Sequence, residues 1–273
     1  MTNAILKEKL TQQNLKLIRR KRFQMRLLEN WWVVAVLILG IYVGLPISAP
    51  FLMKAGLNGP ANGIYTTYSF MCHQFAFRSI FLFGDQTVYP RAETGTNLIT
   101  FEEEAAKSKA FEEVYLKQRA KENEFSGEFS TAEYGEWSRT LQFAARSFQG
   151  DEVFGYKMAL CQRDIAIYAA MVVAGIFYGL FRRRIRPAPL WLYVMLGLAP
   201  IGLDGFSQLL GYPPFSLWEP RETQPFFRIL TGTLFGVMNV WVAFPYINIS
   251  MQESAKQIRR ALKRIDDEIA KLG

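Results

Sequence analysis

The chain holds two cysteines and one histidine, and these metal-ligating and nucleophilic side chains fall in two short polar stretches. Cys72 and His73 stand beside Gln74 and Arg78, while Cys161 is followed by Arg163 and Asp164. Zinc takes four ligands in a tetrahedron from cysteine, histidine and carboxylate. Cys72, His73 and Cys161, completed by Asp164 or Asp204, have the required atom types. Adjacent residues on a helix diverge by about 100°, so Cys72 and His73 could share one ion only in an unwound stretch. The plainer alternative is a Cys72–Cys161 disulfide, which would close a long loop in an oxidising compartment. A redox-active bond is disfavoured because no Cys-x-x-Cys pair is present to depress a thiol pKa.

The other polar residues allow anion chemistry. Arg78, Arg163 and Arg228 could grip a phosphate bidentately, with Asp204 or Asp164 as base and His73 as proton shuttle. Gln74 and Gln208 would support them. The competing reading is structural: Arg163 or Arg228 pairs with Asp204, which keeps charge from standing alone in lipid.

The elements that must carry these residues are membrane helices. Trp31 to Met53 holds no charged residue, and about 20 apolar helical residues cross a bilayer core. Its length and the basic segment before it argue for a retained span over a signal peptide. Further spans are expected at about 165–181, 188–210 and 226–249, giving an all-α polytopic fold. Residues 64–84 are mostly apolar, but Cys72, His73, Gln74 and Arg78 sit at their middle, where charge is expensive in lipid. A re-entrant or interfacial helix is expected there.

The expected organisation is a basic helix over 1–30, the first span and re-entrant segment over 31–84, and an acidic, mostly helical insertion over 85–154. A three-span core over 155–250 and an amphipathic helix over 251–273 complete it. Thr100 with Glu103 and Ser130 with Glu133 read as capping boxes opening two helices in the insertion. The apolar stripe Tyr134, Trp137, Leu141, Ala144 and Phe148 would pack on the first of them or on the membrane, or act as a lid.

The net charge of +8 is localised. Residues 1–30 carry eight Lys/Arg against two Asp/Glu, and Arg182, Arg183, Arg184 and Arg186 lie between the second and third spans. Basic flanks of this kind follow the positive-inside bias and contact anionic headgroups. They place both termini in the cytoplasm and the insertion outside, with no nucleic-acid partner implied. The tail seam Met251, Ala255, Ile258, Leu262, Ile265, Ile269 and Leu272 has coiled-coil spacing. It could pair with the N-terminal helix, with a second copy of the chain or with a partner protein, or it could lie in the headgroups.

In order along the chain, CHQFAFRS at 72–79, GYKMALCQRDIAIY at 155–168, LDGFSQ at 203–208 and RILTG at 228–232 resemble the signature of an uncharacterised family of predicted prokaryotic multi-pass membrane proteins. The charge topology places these polar residues in one pocket on the outer face, and the resemblance, which implies a prokaryotic membrane protein, supports that pocket. The resemblance implies no reaction. Relatives often place a further cysteine at position 164 and a proline at 159, where this chain has Asp164 and Ala159. A four-ligand thiolate site is weakened accordingly.

The sequence leaves a binding or assembly subunit ahead of a membrane enzyme acting on a lipid headgroup or other anion, with zinc a candidate cofactor. A transporter ranks last because the first two spans have almost no interior polar residues. Walker loops, Gly-x-Ser-x-Gly elbows, His-Glu-x-x-His and dinucleotide fingerprints do not occur.

Overall fold

A computed structural model describes residues 2–182 and 184–272, with side chains described for 15–182 and 184–267. Arg183 of the basic link, and the Ile269 and Leu272 side chains of the tail seam, lie outside the described residues.

Four helices are long and apolar enough to cross a membrane: Trp31–Lys54, Gln162–Phe181, Leu190–Gly211 and Pro225–Asp267. The first is α2, preceded by α1 (Thr2–Glu29), and the second is α7. The third comprises α8 (Leu190–Leu192), a π-helical turn (Tyr193–Leu198) and α9 (Ala199–Gly211). The fourth belongs to α10, which runs from Pro225 to Leu272. Its 48 residues reach about 70 Å at ~1.5 Å per residue, so it crosses a bilayer and continues well beyond. Leu37, Ile38, Ile41, Val173, Leu180, Leu203 and Phe206 point outward from the spans, as lipid-facing side chains should.

Small residues set the helix spacing. A Cβ at Gly232 would lie 2.7 Å from the Arg163 carbonyl oxygen, and one at Gly236 would lie 2.3 Å from that of Ile167. This small-xxx-small pair lets α10 approach α7 backbone to backbone. It gives the RILTG motif a physical reason: Gly232 seats α10 against the first turn of α7, which carries Arg163 and Asp164.

The segment expected as one re-entrant helix is divided. Helix α3 covers Asn58–Tyr68, Cys72 to Phe75 are coil, Ala76–Arg78 make a 3-10 turn, and β1 (Ser79–Leu82) follows. With β2 (Gly150–Asp151) and β3 (Gly155–Cys161), β1 forms a small antiparallel sheet in the order β1-β3-β2. Gly155, at φ +73°, has no room for a side chain between Leu82 O and Gly84 N. Apolar runs of this length cannot be divided between strand and helix by periodicity alone, which is why no sheet was expected.

Between β1 and β2 lies a helical cap of α4 (Phe101–Ala105), α5 (Lys109–Glu122) and α6 (Arg139–Ser147). The Thr100–Glu103 capping box forms, but the helix stops at Ala105 and restarts after Ser108, which caps α5. Ser130 caps only a 3-10 turn, and Ser138 opens α6. The stripe residues Tyr134, Leu141, Ala144 and Phe148 are buried with Phe101, Phe111 and Tyr115, and the same core takes Phe75, Phe77 and Phe81. Burial of Phe75 to Phe81 in this core fixes the coil carrying Cys72 and Arg78 against the cap.

At the opposite end, α1 packs along the last part of α10. Ala255 and Leu262 of the tail seam are buried, as is Ile18 of α1, and Arg259 pairs with Glu29.

Candidate functional site

The cap end of the bundle gathers polar residues from four segments. Arg78 ends the 3-10 turn before β1, Arg163 lies in the first turn of α7, Asp204 and Gln208 lie one turn apart on α9, and Arg228 lies in the first turn of α10. The loop 212–224 contributes Tyr212, Arg221, Glu222 and Thr223.

Glu222 is the centre of one half. Its carboxylate accepts from Arg78 and Arg228 and, at 2.8 Å, from the Tyr212 hydroxyl. Its side chain is only 2% exposed. Burial alone would push its carboxyl up, but the two guanidinium groups outweigh it and hold the group below the ordinary carboxylate range. Arg78 also lies over Phe75, Phe77 and Trp137 at 5.4–5.7 Å from the ring centres. Trp137 in turn stacks on Tyr212, centroids 3.9 Å apart. One stripe residue of the cap thus covers the ion triad.

Asp204 is the centre of the other half. It pairs with Arg163, with Arg221 at 3.1 Å and with the Thr223 hydroxyl at 2.5 Å. The Gln208 carboxamide joins the halves. With its oxygen turned toward the surrounding donors it accepts from Thr223 N at 2.9 Å and Arg228 Nη2 at 3.2 Å. Four arginines therefore meet two carboxylates. Beside them a cleft of about 680 Å³ runs from Pro200, Leu203 and Phe227 to Asp204, Arg221, Thr223 and Gln224.

Of the residues expected to form an anion site, Arg78, Arg163, Arg228, Asp204 and Gln208 come together here. Glu222 and Arg221 were not singled out. The available signal was Arg228 itself: a buried arginine requires a carboxylate, and Glu222 is six residues away in a polar loop.

The thiols form a separate group. Ligand atoms of Cys72, Cys161 and Asp164 all lie within 4.8 Å of one another, and both cysteines are free. Cys161 Sγ donates to Asp164 Oδ2 at 3.2 Å. His73 lies outside that group; it is exposed, with its ring 5.4 Å from that of Phe75.

Gln74 is buried in the left-handed region, at φ +54°. Its amide nitrogen bonds Tyr65 O and Ala159 O, each at 2.9 Å. Lys157, fully buried, donates to Gln74 O at 2.7 Å, Arg146 O at 2.7 Å and Ala145 O at 3.2 Å. Three carbonyls match the three N–H bonds of an ammonium, while burial draws its pKa down to about 7. This lysine clamps the Cys72 coil, the cap and β3 together.

Residues 142–242 match the family model described as "Predicted membrane protein (DUF2085)". This stretch is similar to an uncharacterised membrane-protein family. It includes Cys161, Arg163, Asp164, Asp204 and Arg228 and leaves out the Cys72 segment. An uncharacterized protein of Methanocaldococcus jannaschii is 31% identical over 106 residues, which cover 38% of this chain and 60% of that protein. The chain therefore spans about three fifths of the curated relative it matches. No solved structure matches. Both similarities are to uncharacterised proteins, and neither comparison supplies an activity.

Proposed function

We propose that this is a membrane binding protein whose cap-end cleft takes an anionic lipid headgroup, with the acyl chains remaining in the bilayer. The observation that carries the reading is the excess of four arginines over two carboxylates beside a cleft whose opposite wall is apolar. Arg221 is half-exposed at the cleft, and Arg163 leaves Nε without a protein partner among the described residues. Arg221, which lines the cleft, can serve a phosphate directly, whereas Arg163 Nε is buried and Arg163 stands outside the cleft lining. Binding is favoured over catalysis because both carboxylates are committed to arginines, which leaves neither free as a general base.

The orientation that suits this reading places the cap outside a prokaryotic cell membrane and both termini in the cytoplasm. Residues 85–151 carry thirteen Asp/Glu against eight Lys/Arg, whereas the basic N-terminal segment and the arginine link belong to the other end. Positive charge is retained on the cytoplasmic side of short connections. The tail seam is engaged by α1 within one chain, so a partner protein or second copy would use the exposed faces of that pair.

A second reading rests on the thiol group. Cys72 and Cys161 tie the coil after α3 to the head of α7, either as a disulfide or through an ion they share.

The test is lipid retention by the full chain in detergent, read by native mass spectrometry with phosphatidylglycerol and phosphatidylcholine. Preferential retention of phosphatidylglycerol is expected, with an affinity about tenfold lower in Arg221→Gln. Equal retention of the two lipids would overturn the reading. Competition by free glycerol phosphate at equal strength would move the ligand from lipid to soluble anion.

A further inference from the structure

We infer that Cys72, Cys161 and Asp164 form a three-ligand site for a zinc-type divalent cation, which resolves the thiol reading above in favour of a shared ion over a disulfide. The three groups come from two segments 89 residues apart, yet their ligand atoms all lie within 4.8 Å of one another. Two thiolates and a carboxylate suit a borderline-soft ion such as Zn²⁺.

The backbone supplies an independent observation. Cys72 Sγ accepts from two main-chain N–H groups, Gln74 N at 3.5 Å and Cys161 N at 3.4 Å. The Cys161 contact and burial push the Cys72 thiol up; sulfur is a weak acceptor as a thiol and a stronger one as a thiolate, so the paired N–H donors act against that push once a cation takes the proton's place. Keeping them costs something: Gln74 is held at positive φ, unfavourable for a residue with a side chain. Its amide is pinned to Tyr65 O and Ala159 O, and its carbonyl is pinned by Lys157. A shell that orients a ligand is characteristic of metal sites, and here it explains why a strained turn directly follows a cysteine.

The other candidate ligands are spent elsewhere. Asp204 is held by Arg163, Arg221 and Thr223, and His73 stays outside the group. Three protein ligands leave one position of a tetrahedral ion for water or an added ligand. Two thiols lose their protons to solvent as the ion binds, so binding tightens as pH rises. With two thiolates, one carboxylate and a divalent ion, the loaded site carries a charge of −1. Arg163, which serves the cationic cluster, is the neighbour of Asp164 in the first turn of α7.

Titration of the full chain in detergent, thiols reduced, with Co²⁺ and then Zn²⁺ tests the assignment. One equivalent of Co²⁺ should bind with a sulfur-to-metal charge-transfer band that Zn²⁺ abolishes. Cys72→Ser and Cys161→Ser should lose the band, Asp164→Asn should keep it while binding about tenfold or more weakly, and His73→Ala should behave as wild type. Because the wild-type band needs no variant, misfolding of a serine variant cannot rescue or sink the result. Absence of the band in wild type overturns the ion, and its loss in His73→Ala overturns the ligand set. If no band forms but mild oxidation links Cys72 to Cys161, the thiol pairing survives as a disulfide. If neither occurs, the pairing falls too.

Discussion

At the cap end, Glu222 sits buried between Arg78 and Arg228, and every carboxylate of the cluster is bonded. At the other end, Arg184 and Arg186 project into solvent from the link between the second and third spans, with no carboxylate paired to either among the described residues. The same residue type thus meets opposite conditions. Where arginine is covered by Trp137 and the cap core, desolvation makes a carboxylate partner obligatory. Where it is exposed, it needs none. Charge at the cap end is part of the fold, and charge at the link end is not.

The largest expected effect is at Glu222. Glu222→Gln leaves two buried guanidinium groups without a countercharge and should cost about 3–5 kcal/mol in unfolding free energy, measured by denaturant titration in detergent. A loss below about 1 kcal/mol would mean the triad behaves like a surface pair, and the contrast between the two ends would collapse.

Lys157 comes next. Lys157→Met strands three carbonyl acceptors and should cost about 2–3 kcal/mol. This amine also carries a pH signature. Its pKa is about 7 in the folded protein, against about 10.4 for an unfolded lysine. Between these values the unfolded chain holds a proton that the folded chain has released, so this group's contribution to stability rises with pH across that window. Melting temperatures recorded from pH 7 to 10 should show that component in wild type and lose it in Lys157→Met; parallel profiles would place the lysine in water.

A smaller effect is expected at the helix contact. Gly232→Ala sets a methyl against the Arg163 carbonyl and should cost about 1–3 kcal/mol, while weakening phosphatidylglycerol retention because Arg163 shifts with α7. Unchanged retention together with lost stability would separate the bundle packing from the cleft.

The smallest stability effect belongs to Arg184→Gln with Arg186→Gln, for which no measurable change in unfolding is expected. Orientation is the sensitive readout there. A cysteine placed in the cap of this double variant should label from both sides of the membrane, while the parent labels only from outside. Destabilisation like that of Glu222→Gln would show that these arginines too are buried partners.

The four spans could be read directly, because a bilayer demands about 20 apolar residues in a row and this pattern is local. Arg78, Arg163, Asp204, Gln208 and Arg228 were also legible as one polar group, since intramembrane charge turns inward. What stayed hidden depends on contacts distant in sequence. Glu222 stands in a loop whose composition resembles any exposed turn, and only burial under Tyr212 and Trp137 makes it the hub of the triad. The strand character of 79–82 and 155–161 arises from their pairing with each other, and short apolar runs do not reveal that partner.

The sequence by itself determined that Cys72 and Cys161 flank a long insertion and that His73 adjoins the first of them. Tertiary structure decided which atoms meet. The coil at Cys72 to Phe75, held by Gln74 and Lys157, turns Cys72 toward Cys161 and Asp164 while His73 faces away. The physical reason is that ligand convergence depends on backbone direction within a single turn. Here that direction is set by hydrogen bonds to residues 9 to 85 positions distant.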